Sequence, residues 1–326
     1  MLNKDQKLKD ALTMLCYACA LGAFGAFFRW LQMQTARDAQ TGLMNRSVLN
    51  YIVPLLMIAA AVILYRRTKR LTDDKTAFPT DMYAALSCTS VAYVILAWVV
   101  AALYILGGIL TISALALDSQ RGLYVIIAIL AVASGLGFPL ICTATKRHYS
   151  PSLIAVFMTL PVIMFCLWLI ACYRTNASNP NIWLYAVEIL SVCAVILALL
   201  YVAGYAYGRA EPRKACFMVL FGAFMCITSL ADSRAAGPEL IMLATAGELL
   251  IYGWLFVKNR ADAPEPEAEI EDGGEDDKKP DEDISGDGVA IEPSEDITIP
   301  EPTIQAPARM KKPDEVDKII KEYKDK

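Results

Sequence analysis

The chain has 326 residues, of which 56% are hydrophobic, and a mean hydropathy of +0.42. Its net charge of −4 is unevenly distributed: residues 1–260 contain 21 basic and 12 acidic side chains, whereas residues 261–326 contain 9 basic and 22 acidic ones. The apolar composition of residues 1–260, the body of the protein, excludes a water-soluble globular protein. Its apolar runs approach the roughly 20 residues with which a helix crosses a bilayer.

Eight apolar segments are long enough to cross a membrane. Inside hydrocarbon every backbone N–H and C=O must be paired within the protein, and the segments lack the alternating polarity of a barrel, so we expect helices. The predicted fold class is an all-α polytopic membrane protein, a bundle of about eight transmembrane helices. The segments are Ala11–Leu31, Val48–Tyr65, Met82–Leu106, Gly122–Thr143, Ser152–Cys172, Ile182–Tyr207, Ala215–Ala231 and Glu239–Val257.

The third segment is the hardest to delimit. The apolar stretch continues from Met82 to Leu117, which is too long for one ordinary crossing and short for two. The pair Gly107-Gly108 interrupts it. We therefore predict one helix that ends at Leu106, followed by a short separate segment over residues 107–117.

The distribution of Lys and Arg predicts the orientation of the bundle. If the N-terminus is inside, the inner flanks and loops carry 15 Lys and Arg residues and the outer ones carry 6, so both termini are expected to be cytoplasmic. The first segment follows a basic N-terminus, as in a signal peptide. Its apolar part of about 20 residues is longer than the apolar part of a signal peptide and no A-x-A site follows, so we interpret it as an anchor.

Residues 261–326 differ in character from the bundle predicted over residues 1–260. They hold eight of the sixteen prolines and are strongly acidic, a composition typical of disorder. At their end, Val316, Ile319, Ile320 and Tyr323 share one helical face. A helix this short is marginal alone, so we expect it to fold against a cytoplasmic protein partner or the membrane surface.

Only two acidic residues of the body, Glu188 and Glu248, lie well inside a predicted span. By the rise of an α-helix, Glu248 lies roughly 14 Å and Glu188 roughly 9 Å from the outer edge. A carboxylate at such depth is costly unless it is protonated, paired or hydrated. Both residues are therefore candidates for a functional site.

Polar residues recur at helical spacing around each acid and share a face with it. They are Asn181, Tyr185 and Ser191 around Glu188, and Thr245 and Tyr252 around Glu248. A third polar stripe follows the third segment from Tyr83 to Tyr104. We expect these faces to enclose a pocket in the outer half of the bundle.

Arg29, near the outer end of the first segment, is the natural counter-ion for Glu188 or for Asp232, unless it extends to the membrane surface. The candidate ligand-binding or proton-coupling residues are Glu248, Glu188, Arg29, Tyr185, Thr245, Tyr252 and Ser191. Under the alternative interpretation, the two acids only hold helices together through hydrogen bonds.

Helix-breaking residues are a second indicator of a site. Ser134–Pro139 in the fourth segment and Thr159–Pro161 in the fifth could interrupt their helices and expose carbonyl groups, as in many transporters. Simple kinks are the alternative, because Gly and Pro are frequent in membrane helices.

Cofactor chemistry and catalysis find little support in the sequence. All nine cysteines lie in apolar segments, and the C-x-x-C pair Cys16 and Cys19 lies within a span, so we interpret them as packing residues. The chain has one histidine, His148, and neither a GxxxxGK[ST] nor a G-x-S-x-G motif. We therefore expect no metal, no cofactor, no nucleic-acid partner and no enzymatic activity.

Two stretches, GAFFRWLQMQTARDAQTGL (Gly25–Leu43) and WLYAVEILSVCAVILALLYVAGYAYGR (Trp183–Arg209), resemble a family of uncharacterised multi-pass membrane proteins of anaerobic Gram-positive bacteria. The resemblance covers the membrane body and excludes the tail. It implies a bacterial plasma membrane location and assigns no site residue.

Two functions follow from these features. The first is binding or transport of a small solute or ion through an intramembrane polar pocket formed by the third, sixth and eighth segments. The second is a membrane scaffold or sensor that recruits a cytoplasmic partner through the acidic tail, in which case Glu188 and Glu248 are structural.

Overall fold

The structure is a computed structural model that describes residues 4–37, 44, 45, 47–73, 76–88, 90–114, 121–177, 182–232 and 234–262. The chain divides into two units, Met1–Glu267 and Ala268–Lys326. The predicted disorder of the tail and its terminal helix lie outside the described residues.

The described residues form helices joined by short connections. The helices are α1 (Lys4–Thr35), α2 (Leu49–Asp73), α3 (Met82–Leu86), α4 (Val91–Ala114), α5 (Arg121–Lys146), α6 (Pro151–Asn176), α7 (Ile182–Ala206), α8 (Pro212–Ser229) and α9 (Ala236–Lys258). Two short strands, β1 (Thr76–Ala77) and β2 (Ala261–Asp262), pair antiparallel, with Thr76 opposite Asp262.

Seven of these helices, α1, α2, α4, α5, α6, α7 and α9, are long and apolar enough to cross a membrane. The predicted fold class, an all-α polytopic membrane protein, is confirmed. Large apolar side chains such as Phe27, Leu55 and Ile95 lie exposed on the helix surfaces, where a bilayer would cover them. This exposed apolar surface is therefore typical of a membrane protein.

The helix α8 is the shortest of the long helices, with 18 residues, or roughly 27 Å. It packs against α1, α2, α7 and α9 and occupies the interior of the bundle together with α9. In the most apolar stretch of α9, 72% of the residues are buried, against 28% in α1 and in α2. The two peripheral helices thus face lipid, while α8 and α9 supply the core.

The prediction for the third segment is wrong at both ends. The chain is not helical at residues 87, 88 and 90, between α3 and α4, and α4 then continues through Gly107-Gly108 to Ala114 without the predicted break. The two glycines are sites of close helix packing, because an added Cβ would lie 2.8 Å from Ile241 of α9 or from the Ala128 carbonyl of α5. Residues 115–117 lie outside the described residues.

The helices α5 and α6 remain continuous across Pro139 and Pro161. Neither proline interrupts its helix in the way that a discontinuous transporter helix is interrupted. The continuous helices contradict the broken-helix interpretation of Ser134–Pro139 and Thr159–Pro161 and leave the alternative, simple kinks. Each proline removes one backbone hydrogen bond and leaves the rest of the ladder in place.

One end of the bundle is held together by Arg260, which is 3% exposed. Its guanidinium group pairs with Asp10 of α1 at 2.7 Å and donates to the Leu71 carbonyl of α2 at 3.2 Å, and Lys7 donates to the Arg260 carbonyl at 2.6 Å. The start of α1 and the end of α9 thus lie at the same end, which we call the Arg260 end. The opposite end is called the Arg29 end.

Candidate functional site

A pocket of about 320 Å³ lies at the Arg29 end. The helices α4, α5, α6 and α7 and the start of α9 contribute to its wall. The lining residues are Thr111, Tyr124, Trp168, Cys172, Thr175, Asn176, Glu188, Arg234, Ala235 and Pro238. Of the predicted segments, the fourth, fifth and sixth contribute lining residues, whereas Thr111 and Pro238 lie just outside the predicted bounds of the third and the eighth.

Two opposite charges face this pocket. Arg234, in the connection between α8 and α9, has only 8% of its side chain exposed, and its Nη1 lies 3.6 Å from Glu188 Oε1. Its Nη2 donates to the carbonyl oxygen and the hydroxyl of Ser229. Within the described part of the chain, neither Nε nor Nη1 has a hydrogen-bond acceptor. The buried guanidinium group therefore keeps unused donors beside a cavity.

Glu188 lies near the start of α7 and is held from the opposite wall of the pocket. The indole Nε1 of Trp168, on α6, donates to Glu188 Oε1 at 3.1 Å. The hydroxyl groups of Tyr124 and Thr175 lie 3.3 Å apart at the same pocket. An aromatic wall, a carboxylate and a guanidinium group thus converge in a small volume, a combination suited to orienting a polar solute.

Arg29 is fully buried and lies outside the lining of this pocket. Its guanidinium group donates to Asp232 Oδ1 at 2.6 Å and to Gln32 Oε1 at 2.8 Å. It also donates to the carbonyl oxygens of Trp183 and Leu184, at 3.1 and 2.8 Å. Of the two predicted counter-ions, Asp232 is the one that it contacts. Each of the three guanidinium nitrogens of Arg29 has an acceptor, and these bonds tie α1 to α7 and to the end of α8.

Asp232 completes the charged cluster at the Arg29 end. Its Oδ2 is buried without a hydrogen-bond partner in the part of the chain that the structure describes. Burial raises the pKa of Asp232, whereas the guanidinium groups of Arg29 and Arg234 oppose this shift. Two arginines and two carboxylates therefore balance each other, and of the four only Arg234 and Glu188 reach the pocket.

Glu248 lies apart from the pocket, in the contact between α4 and α9, and is 3% exposed. The Tyr104 hydroxyl lies 2.7 Å from Glu248 Oε2 and 2.8 Å from Thr245 Oγ1. Thr245 also donates to the Ile241 carbonyl at 2.8 Å. Because each hydroxyl carries one proton, Tyr104 can donate to Glu248 while Thr245 donates to Ile241. Tyr252 follows Glu248 by four residues on α9, on the same face of the helix.

A tight helix contact separates the pocket from Glu248. Tyr104 precedes the pocket residue Thr111 by seven positions on α4, or roughly 10 Å along the helix. Between them lies Gly107, where an added Cβ would be 2.8 Å from Ile241 of α9, and at Thr111 itself an added Cβ on Gly237 would be 2.8 Å from Thr111 Cα. We call this contact, formed by Gly107, Thr111, Gly237 and Ile241, the α4–α9 seam. The described conformation is therefore a pocket that the seam closes on the side of Glu248.

The other predicted site residues have different surroundings. The Ser191 hydroxyl, fully buried, donates to the carbonyl of Val187 on its own helix and contacts the Met225 carbonyl of α8. Tyr185 is half-buried and lies outside the lining of the 320 Å³ pocket. The structure thus brings Thr245 and Tyr252 together with Glu248, and separates them from Glu188, Tyr185 and Ser191.

Sequence reasoning missed the residues that face Glu188. Arg234 is one of the six outer Lys and Arg residues that were counted for the orientation, and it was not predicted to be a site residue. Trp168 lies in the fifth apolar segment and was given no role. The available signal was the short connection that places Arg234 two residues after Asp232, since a cation beside a buried acid at the same depth is a candidate partner. No periodicity within one helix could show that α6 faces Glu188.

The pocket does not resemble a metal centre. Among the described residues, no three His, Cys, Asp or Glu side chains are grouped so that they could hold a metal ion. Glu188 and Cys172 are the acid and the thiol of the lining.

No protein-family model matches this chain, and no curated protein and no solved structure is similar to it. The fold and the pocket define the class of protein as a polytopic helical membrane protein with a polar pocket at one end of its bundle. The chemistry of that pocket is what bears on its function.

Proposed function

We propose that this membrane protein binds a small solute with an anionic group, such as a carboxylate or a phosphate, in the pocket at its Arg29 end. The observation that carries the proposal is the buried Arg234, which lines the pocket and whose Nε and Nη1 have no hydrogen-bond acceptor among the described residues. An unpaired buried donor costs about 1–3 kcal/mol, and more on a charged group. A planar anion that accepts both N–H groups would remove this cost.

Glu188 extends the proposal to the rest of the solute. Its carboxylate lies 3.6 Å from Arg234 Nη1 and accepts one hydrogen bond from Trp168. Its remaining lone pairs suit an ammonium or hydroxyl group beside the anionic group of the solute. The volume of about 320 Å³ is at the lower end for ligand pockets. A zwitterionic solute of amino-acid size satisfies both charges and the volume.

We further propose that the Arg260 end faces the cytoplasm of a bacterial cell and that the pocket opens to the outside. The support is the excess of Lys and Arg on the inner flanks, 15 against 6. Transport through the bundle would then require the α4–α9 seam to open, because the seam lies between the pocket and Glu248. Glu248 would be the next polar group that the solute or a coupled proton meets.

The binding experiment uses the purified full-length chain in detergent and measures thermal unfolding with glycine, L-glutamate, taurine or inorganic phosphate at millimolar concentration. At least one of these probes is expected to raise the midpoint of unfolding. Arg234→Gln should weaken that probe's affinity by about 10- to 100-fold, the equivalent of losing charge-assisted hydrogen bonds. Glu188→Gln should weaken the zwitterionic probes and spare phosphate.

Arg174→Gln is the matched control. Arg174 lies exposed near the end of α6, at the same end of the bundle, and is not a lining residue. Its removal changes the net charge equally and should leave every shift intact. An Arg234→Gln variant that responds to the probes as the unmodified chain does would contradict the proposed site.

A further inference from the structure

A second cavity, of about 780 Å³, lies near the Arg260 end between α6 and α7. Its wall combines apolar side chains of both helices with the polar turn that joins α7 to α8. We call it the α6–α7 groove. The groove shares no residue with the 320 Å³ pocket that Arg234 lines, and it lies at the opposite end of the bundle. Its ligand is therefore independent of the proposed solute.

The floor of the groove is apolar and faces outward. Leu197 and Leu200 of α7 are 45% and 50% exposed, and Val162 of α6 lies opposite them. Both helices are long and apolar enough to cross a membrane, so this exposed surface faces hydrocarbon. From Leu197 to Tyr207 the groove follows α7 for roughly 15 Å, which is about the hydrocarbon thickness of one leaflet.

The rim of the groove carries hydroxyl groups at the level where α7 ends. The Tyr207 hydroxyl and Thr159 Oγ1 lie 3.0 Å apart and join the two walls. Amphipathic rings such as Tyr207 are typical of the depth at which lipid head groups begin. The apolar floor thus ends where a glycerol backbone and its ester groups would lie.

The turn beyond the rim is basic and has a fixed shape. Gly208 adopts a positive φ of 68°, and the Arg209 N–H donates to the Gly204 carbonyl at 2.8 Å, which closes α7. Three exposed cations, Arg209, Arg213 and Lys214, accompany one exposed acid, Glu211. Lys214 pairs with Glu211, so Arg209 and Arg213 remain as the excess positive charge. Arg209 lines the groove itself, as does Glu211, whose charge Lys214 compensates.

We propose that the α6–α7 groove binds one anionic phospholipid. One acyl chain lies along Leu197 and Leu200, and the phosphate contacts Arg209. Basic pockets between transmembrane helices are a recognised way to hold anionic head groups. The groove has both parts of such a site, an outward-facing apolar channel and a cation at its membrane-surface end.

The test uses the full-length protein, delipidated in detergent and titrated with phosphatidylglycerol or with phosphatidylcholine of the same acyl chains. Bound lipids are counted by native mass spectrometry, and thermal unfolding is followed in parallel. We expect one tightly retained phosphatidylglycerol that phosphatidylcholine does not replace. Arg209→Gln should weaken its binding about fivefold, the contribution of one cation near a membrane surface.

A second variant and a soluble probe test the acyl-chain contact. Leu200→Trp fills the groove without changing its charge and should also remove the retained lipid, while Arg174→Gln, at the other end, should keep it. Glycerol 1-phosphate, which has the charge but no acyl chain, should not protect the protein. Retention of the lipid by Arg209→Gln, equal retention of phosphatidylcholine, or equal protection by glycerol 1-phosphate would each overturn the proposal.

Discussion

Arg29 and Arg234 lie at the same end of the bundle and differ in how their guanidinium groups are satisfied. Arg29 donates to four acceptors and is fully buried. Arg234 donates only to Ser229 and keeps Nε and Nη1 free of acceptors within the described residues. Removal of a charge from water is tolerated when its hydrogen bonds are replaced. Arg29 is therefore a structural residue, whereas Arg234 has capacity left for a ligand.

Glu248 accepts a hydrogen bond from the Tyr104 hydroxyl. Among the described residues, no cation forms an ion pair with it. Glu248→Gln keeps an oxygen that can accept from Tyr104, so we expect it to fold and to lose at most about 1 kcal/mol of unfolding free energy. Solute affinity at the Arg234 pocket should be unchanged. Uptake of that solute into proteoliposomes should be lost, because an amide cannot carry a proton.

Tyr104→Phe is the control for this variant. It removes the hydroxyl group that contacts both Glu248 and Thr245, and leaves the carboxyl group in place. If Glu248→Gln proteoliposomes take up the solute at the unmodified rate, Glu248 serves only to hold α4 and α9 together. The bundle would then lack the proton-linked step.

At the scale of elements, small residues decide where helices come closest. At Gly237 an added Cβ would lie 2.8 Å from Thr111 Cα, and at Gly107 it would lie 2.8 Å from Ile241 Cγ1. Both positions belong to the α4–α9 seam. Close approach at small residues gives membrane helices van der Waals contact, since hydrocarbon provides no hydrophobic driving force between them.

Gly237→Ala should push α9 away from α4, because the added Cβ would meet the backbone N and Cα of Thr111 as well as its hydroxyl group, and the backbone cannot move aside. We expect the unfolding free energy to fall by about 1–3 kcal/mol, the usual effect of overpacking. The measurement is detergent-denaturant unfolding followed by circular dichroism. Gly122→Ala, where an added Cβ meets nothing within 4 Å, should be neutral or slightly stabilising. Equal effects of the two substitutions would contradict the role of the seam.

At the scale of the whole molecule, Arg260 joins the first, second and last long helices at one end. It pairs with Asp10 at 2.7 Å and donates to the Leu71 carbonyl. The pairing of β2 with β1 follows directly, at Ala261 and Asp262. The bundle therefore extends at least two residues beyond the predicted boundary at residue 260.

A chain that ends at Asp262 should keep the thermal stability and the solute response of the full-length chain, because every helix and strand that the structure describes ends by that residue. Arg260→Gln should lower the unfolding free energy by about 1–3 kcal/mol, since Asp10 and the Leu71 carbonyl lose a charged donor. Arg213→Gln, an exposed arginine at the same end, is the control. Loss of the solute response on truncation would favour the tail as the working part of the protein.

Much of the fold was predictable because lipid imposes a simple rule. Segments of about 20 apolar residues must be helices when water is absent, and the predicted segments correspond to the long helices of the bundle. Sequence patterns are less informative for glycine, which can either interrupt a helix or allow two helices to pack closely. Gly107-Gly108 was interpreted as a helix break, but it is a packing site that only the positions of α5 and α9 reveal.

For the candidate site, the sequence could predict which residues share a face of one helix. It could not predict which residues of different helices meet. Helical spacing correctly joined Thr245 and Tyr252 to Glu248, because all three lie on one helix. It could not show that Trp168 and Arg234 face Glu188, since these contacts cross between elements.

The sequence by itself determined the class of the protein, the helical character of its segments and the positions of its acids along their helices, because these depend on local composition and on the rise of a helix. Only the tertiary structure decided which acid faces a cavity and which is sealed between helices. The reason is that rotation of each helix about its own axis is set by the packing of its neighbours, and no single segment contains that information.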